Sequence, residues 1–210
     1  MRYAQAGQDA FVLAMLGERQ RGTFADIGCQ RPFEISNSLL LEERGWRGVA
    51  LDIEDYSVAW VARVTLFIQA DALARDFAAL FAEYGLATPI DYLSLDVEKK
   101  GERFAALKNV LASGLEFKVI TIEHDAYQPG FAEAERQPQR ALLTSLGYQL
   151  VCADVHCGNN KAFEDWWVHP GHVPESRFTP FRCDYKGHRE IFRAAGLELD
   201  AFYPDVSGQA

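Results

Sequence analysis

Short apolar runs that end on an acid recur along this 210-residue chain, and they limit its fold more than any other feature. FADIG, VALDIE, LSLDVE and VITIEHD hold near-continuous apolar residues without the polar alternation of a half-solvated strand. A strand covered on both faces has this composition, so the runs predict a parallel sheet with helices on each side. Strands are expected over residues 22–28, 48–54, 65–71, 91–98, 117–125, 148–156 and 164–169. Helical patterns lie between them at 7–20, 37–44, 56–63, 73–84, 102–112 and 134–146. In the fourth, Phe77, Leu80, Phe81 and Tyr84 fall on one face at three- and four-residue spacing. Gly45, Gly85, Gly114 and Gly147 each follow a helical run, where a left-handed stop residue belongs. Strand–helix alternation with connections this short predicts a doubly wound α/β domain.

Composition narrows the partners. The chain is 49% hydrophobic and 24% charged, enough apolar material for one domain with a full central sheet. Its net charge of −9 disfavours a phosphate backbone as partner, so no nucleic acid is expected. The apolar run at 11–16 is too short for a signal-peptide core or a membrane span. Cys29, Cys152, Cys157 and Cys183 show no framework spacing and read as reduced thiols of a cytoplasmic protein. After Pro170 the alternation fails, leaving one helical pattern at 187–197. The expected division is a domain at 1–170 and a tail at 171–210, the tail a lid or a partner segment. The oligomeric state is not legible.

Ligands of an open parallel sheet sit beyond the carboxyl ends of its strands. The expected strands end on Asp26, Asp52, Asp71, Asp96 with Glu98, and Glu123 with Asp125. Helix capping explains any one of these acids. As a set they repel phosphate and favour a ribose diol or a cationic group. Asp52 stands roughly 20–25 residues past Gly28, where a dinucleotide fold places its ribose acid. Past Gly28, however, come Cys29-Gln30-Arg31-Pro32, and the full GxGxxG that cradles a pyrophosphate is missing. A sulfonium nucleoside, with ribose and adenine but no phosphate, suits the pattern better.

YAQAGQDAFVLAML, GTFADIG, SNSLLLEERGWRGVALDIE, IDYLSLDVE, ITIEHD and LLTSLGYQLVCADV, in that order over residues 3–170, resemble FkbM-type methyltransferases. The resemblance implies a class I S-adenosylmethionine fold, Rossmann-like, with a seven-stranded, mostly parallel sheet whose last strand is antiparallel. It implies methylation of a hydroxyl oxygen on a sugar, glycan or small natural product. Gly28 would lie under the methionine part of the donor, Asp52 would take the ribose hydroxyls, and Asp71 with Ala72 would meet the adenine amino group. Asp96 would close the site beside sulfonium and acceptor. Gln5, Gln8 and Asp9 match a leading segment, within residues 1–21, that covers the cofactor. Ser36 and Asn37 match a Ser-Asn pair at a helix start, for which capping is a sufficient reason. Two positions depart from the family: Pro32 removes a backbone donor, and Lys99 places positive charge near a cationic donor. They motivate a second reading, a degenerate fold that binds a ligand or partner without turnover. A nicotinamide-dependent oxidoreductase stands third, for want of its glycine loop.

A hydroxyl acceptor benefits from a base, and histidine suits neutral pH. His124, at the end of the fifth expected strand, is either that base or a structural histidine. Asp96 is the second catalytic candidate. Asp96, Glu98 and Glu123 form a weak candidate set for a divalent metal. His156, Cys157, His169, His172, Cys183 and His188 are zinc-type residues without compact spacing. Trp166 and Trp167 divide between core and helix or substrate side. Arg31, Arg136 and Arg140 either meet an anionic acceptor or sit in solvent.

Overall fold

The fold, given by a computed structural model, is described for residues 3–17 and 21–204. The parts of the expected leading segment, first helix and tail at 1–2, 18–20 and 205–210 lie outside the described residues. The chain runs α1 (Gln8–Leu16), β1 (Thr23–Ile27), α2 (Leu39–Glu43), β2 (Arg47–Asp52), α3 (Ser57–Trp60), β3 (Leu66–Gln69), α4 (Phe77–Glu83) and β4 (Ile90–Leu95). It continues through α5 (Glu102–Ala112), β5 (Phe117–Glu123), a π-helical turn (Ala132–Arg136), α6 (Gln137–Ser145), β6 (Gln149–Val155) and β7 (Glu164–Val168). It then passes through α7 (Glu175–Phe178), a 3-10 turn (Thr179–Phe181), β8 (Cys183–Asp184), α8 (His188–Ala194) and a 3-10 turn (Leu199–Phe202).

The strands form one sheet in the order β3-β2-β1-β4-β5-β7-β6-β8. β1 to β5 are mutually parallel, and β7 runs antiparallel to both β5 and β6. This is the doubly wound arrangement with an antiparallel seventh strand. β8, two residues pairing parallel with β6, adds an eighth strand that no apolar run announces.

Successive strand residues point to opposite faces, and the two cores follow that period. Phe24, Tyr92, Val119 and Trp166 enter the core that α1, α2 and α8 cover. Their neighbours Ala25, Leu93, Ile120 and Trp167 enter the core on the α4, α5 and α6 side. Both tryptophans are therefore core residues, one on each face. Fully burying side chains of this size contributes about 2–3 kcal/mol each. Residues 171–204 supply Val173, Phe178, Phe181, Ile191, Phe192 and Leu199 to the α1 side. Tyr203 stacks on Tyr3 at 5.1 Å and donates to Asp9 at 2.9 Å. Among the described residues, no helix is long and apolar enough to cross a membrane.

The helix after β4 has an unusual cap. Gly101, at φ 85°, precedes α5 and has no side chain to satisfy the first amides. Glu135 of the π-helical turn does so instead, accepting from Gly101 N and, at 2.7 Å, from Phe104 N. That contact fixes the start of α5, and with it Arg103, against the end of β5.

Candidate active site

Two cavities open at the carboxyl ends of β1, β2, β4 and β5. The first, about 390 Å³, lies over β1 and β2 and is lined by Gly28, Asp52, Asp71, Ala72, Asp96 and Val97 among others. The second, about 400 Å³, is walled by Asp26, Asn37, Asp96, Glu123, Asp125 and the β6–β7 connection at Phe163. Gly28, Gln30, Tyr56, Asp96 and Glu98 line both, so the cavities are contiguous.

Gly28 makes the junction possible. Its φ is 83°, and a Cβ there would overlap the Asp96 carbonyl oxygen, so only glycine lets the ends of β1 and β4 approach this closely. The turn that follows is pinned from outside. Trp60 Nε1 donates to Gln30 O at 2.8 Å, and Arg63 Nη1 donates to Pro32 O at 2.6 Å. Pro32 thus contributes its carbonyl to a buried arginine. Lys99, the other departure from the family pattern, is exposed and stands 3.6 Å from Glu102.

Asp52 accepts from Gln30 N at 2.9 Å on one oxygen and from Glu54 N at 3.0 Å on the other. These amides orient the carboxylate and leave each oxygen further lone-pair capacity. Ile53 is exposed beside it and, with Leu73 and Val97, gives this cavity apolar walls. Asp71 accepts from Leu73 N at 2.8 Å, and Ala72 is buried at the base of the same wall.

At the junction Arg103, 1% exposed, reaches toward three carboxylates: Asp125 at 3.1 Å, Glu123 at 3.3 Å and Asp96 at 3.8 Å. Burial raises Asp96 to about 6, against a bond from Glu123 and the Arg103 charge that both lower it. Burial, and then the Asp96 charge, raises Glu123 well above the usual carboxylate range. Glu123 is therefore the protonated partner, and it donates to the Asp96 carboxylate. Asp96 Oδ1 and Arg103 Nη1 are buried without a hydrogen-bond partner. Arg103 Nη2 lies beside Asp96 and Glu123, and Glu98 turns away to accept from Gln30 Nε2 at 2.8 Å. Of the three acids proposed as a metal set, Asp96 and Glu123 share the Arg103 guanidinium and Glu98 is held by Gln30, so they do not converge as an oxygen cage.

Arg103 went unread in the sequence, although it shares a helical face with the buried Ala106, Leu107 and Val110. An arginine on an apolar face is the signal that marks it.

Two expected site residues lie elsewhere. His124 is fully buried, with Nε2 3.3 Å from Asp165 and 3.5 Å from Asp154, while Nδ1 accepts from Ala126 N at 3.1 Å. Strand alternation explains the correction: Glu123 faces the cavity, so its neighbour faces away. Gln8 is also buried, accepting from Ala6 N at 2.8 Å, and lines neither cavity; Gln5 lines the second. Asp9 is buried too, and burial raises it to about 7.

The arginines divide. Arg31 lines the second cavity and pairs with Glu34 at 3.2 Å. Arg136 and Arg140 instead bind Asp154, and Arg140 holds Asp165 through two bonds of 2.7 and 2.8 Å. Asp165 is drawn down to about 2 despite its burial, by Arg140 and His124. Asn37 donates to Ser94 at 2.9 Å, and Ser36 accepts from Arg63 at 3.2 Å. Of the zinc-type residues, His156 lies against Tyr185 and Cys183 registers with Cys152, while His169 and His172 come together on the far side of the molecule.

No family model matches the chain, and no curated protein matches it. Solved structures do. A proposed rRNA methylase from Clostridium thermocellum aligns with a TM-score of 0.53 at 13% identity, over 79% of this chain and 97% of that one. The shared fold is the Rossmann-like fold of methyltransferases. At this identity the likeness concerns fold alone.

Proposed function

We propose that the chain is an S-adenosylmethionine-dependent methyltransferase of FkbM type that methylates a hydroxyl of a sugar or small natural product. The observation that carries the reading is a pair of contiguous cavities at the strand ends, with Asp96, whose Oδ1 has no hydrogen-bond partner, at their junction. The first cavity suits the donor: the Gly28 turn lets the ends of β1 and β4 close together at its edge, Ile53 and Leu73 offer apolar walls for a purine, and its acids suit a diol and a cation. Asp52 would hold the ribose, Asp71 and Ala72 the adenine edge, and Asp96 the sulfonium end. Bound there, S-adenosylmethionine supplies an electrophilic methyl group.

The chain's own contribution is position and proton handling. Displacement at a methyl group needs the nucleophile held in line in a water-poor site. Asn37, Asp125 and Tyr127 line the second cavity with groups suited to hydroxyl recognition. The Asp96 carboxylate takes the acceptor proton, while Glu123 keeps its own and Arg103 balances the pair. The acids of the second cavity and the net charge of −9 favour a neutral polyol over a phosphorylated or RNA acceptor. The four cysteines are free thiols, in keeping with a reducing, cytoplasmic setting.

The test is transfer of a labelled methyl group to a panel of glycosidic and polyhydroxylated acceptors. Turnover by the native chain and its loss in Asp96→Asn support the reading. Donor binding without transfer to any acceptor would favour the degenerate, ligand-binding alternative.

A further inference from the structure

Glu116, His169 and His172 meet at the pole opposite the two cavities. Glu116 precedes β5 and His169 follows β7, and these strands pair antiparallel, so the start of one lies against the end of the other. His172 closes the turn His169-Pro170-Gly171-His172, in which His172 N and Val173 N donate to His169 O at 2.9 and 3.1 Å. β5 separates Glu116 from Glu123 by roughly 20 Å at the usual rise of a strand. The cluster is therefore remote from the Asp96 site.

Its geometry is that of a ligand set. His172 Nε2 touches Glu116 Oε1, His169 Nε2 stands 3.7 Å from Glu116 Oε2, and the three donor atoms lie within 4.8 Å of one another. The side chains are 22% (His169), 28% (His172) and 44% (Glu116) exposed, open enough for an ion to enter. Tyr148 packs edge-on against His169 at 5.1 Å and accepts from Phe117 N at 3.0 Å, which holds the imidazole in place. The nearby Lys118 ammonium is committed to Asp91 at 2.7 Å and does not compete for Glu116.

We propose that Glu116, His169 and His172 bind a divalent transition-metal ion of the Zn²⁺ type, with water completing its coordination. Zinc takes imidazole nitrogen and carboxylate oxygen at about 2.0–2.2 Å, which sets tetrahedral donors roughly 3.3 Å apart. The three donor atoms, all within 4.8 Å of one another, need to draw in by no more than about 1.5 Å to reach that spacing. Coordination through Nε2 moves the His169 ring proton to Nδ1, which now accepts from Gly171 N at 3.2 Å. That amide lies on an exposed turn and passes to water at little cost. The ion would staple the start of β5 to the end of β7 and to the turn that begins the tail. Its role is structural.

Metal-stripped full-length protein titrated with Zn²⁺ by calorimetry, and with Co²⁺ by visible absorption, tests the site. The expected result is one ion per chain and a Zn²⁺-dependent rise in thermal midpoint. Both are lost in His169→Ala and His172→Ala and kept in His188→Ala, which removes a histidine outside the cluster. Equal Zn²⁺ uptake by the native chain and His172→Ala would overturn the proposal, and so would no uptake by the native chain. Because His172 is partly exposed on a turn, His172→Gln provides a second variant whose folding circular dichroism can verify.

Discussion

Asp96 shows how one side chain can be tuned by its neighbours. Burial raises it, Arg103 and Glu123 oppose the rise, and the result near 6 leaves it ionised at neutral pH yet basic enough to take a proton. Asp96→Asn is expected to lower methyl transfer by about 10²–10⁴-fold, the usual contribution of a general base. The native rate should rise with pH through about 6 as the carboxylate forms, and the variant should lose that limb. A pH–rate profile of the two proteins checks both statements. Gly28→Ala is expected to cost about 2 kcal/mol or more, because the left-handed turn and the Asp96 carbonyl both refuse a Cβ. Urea denaturation measures it. The sequence reading placed Gly28, Asp52, Asp71, Ala72 and Asp96 at strand ends, and these residues line the first cavity. It favoured His124 over Glu123 as the base, because an apolar run reveals a strand but not which of two neighbours faces the ligand.

Among the elements, the first seven strands were legible because each is an apolar run between polar connections, as Ile90–Leu95 and Phe117–Glu123 are. The tail was not. Its helices have four and seven residues, β8 has two, and Val173, Phe178, Phe181, Ile191 and Phe192 follow no single period. Only the tertiary contacts give those residues a common direction. Phe192 is fully buried and meets Phe181 at 5.5 Å and Trp166 at 6.3 Å. Phe192→Ala is therefore expected to destabilise the whole domain by about 3–5 kcal/mol, the usual cost of removing a buried aromatic. A single cooperative unfolding transition at lower denaturant would agree. An unchanged midpoint would mean that the tail is detachable. Glu135 was equally hidden, since a cap supplied from another element leaves no local signature before α5.

Across the whole molecule, burial holds several acids above their ordinary range: Asp9 to about 7, Asp96 to about 6 and Glu164 to about 8, with Asp26 and Glu123 also raised. The folded chain keeps protons that the unfolded chain releases near pH 4, so stability falls as pH rises from about 4 to about 8. Asp165, already near 2, contributes equally throughout that window. The thermal midpoint is expected to be higher near pH 5.5 than near pH 8, and scanning calorimetry at the two values decides it. Of these acids Asp26, Asp96 and Glu123 also line the proposed cavities, which ties part of the stability to the groups of the site. The most direct measurement of the central claim is calorimetric titration of the native chain and Asp52→Ala with S-adenosylmethionine and S-adenosylhomocysteine. The account predicts one site of about micromolar affinity in the native chain, weakened at least tenfold in the variant, in line with the loss of a charged hydrogen-bonding partner. Absence of binding to the native chain, or equal binding by both proteins, would contradict it.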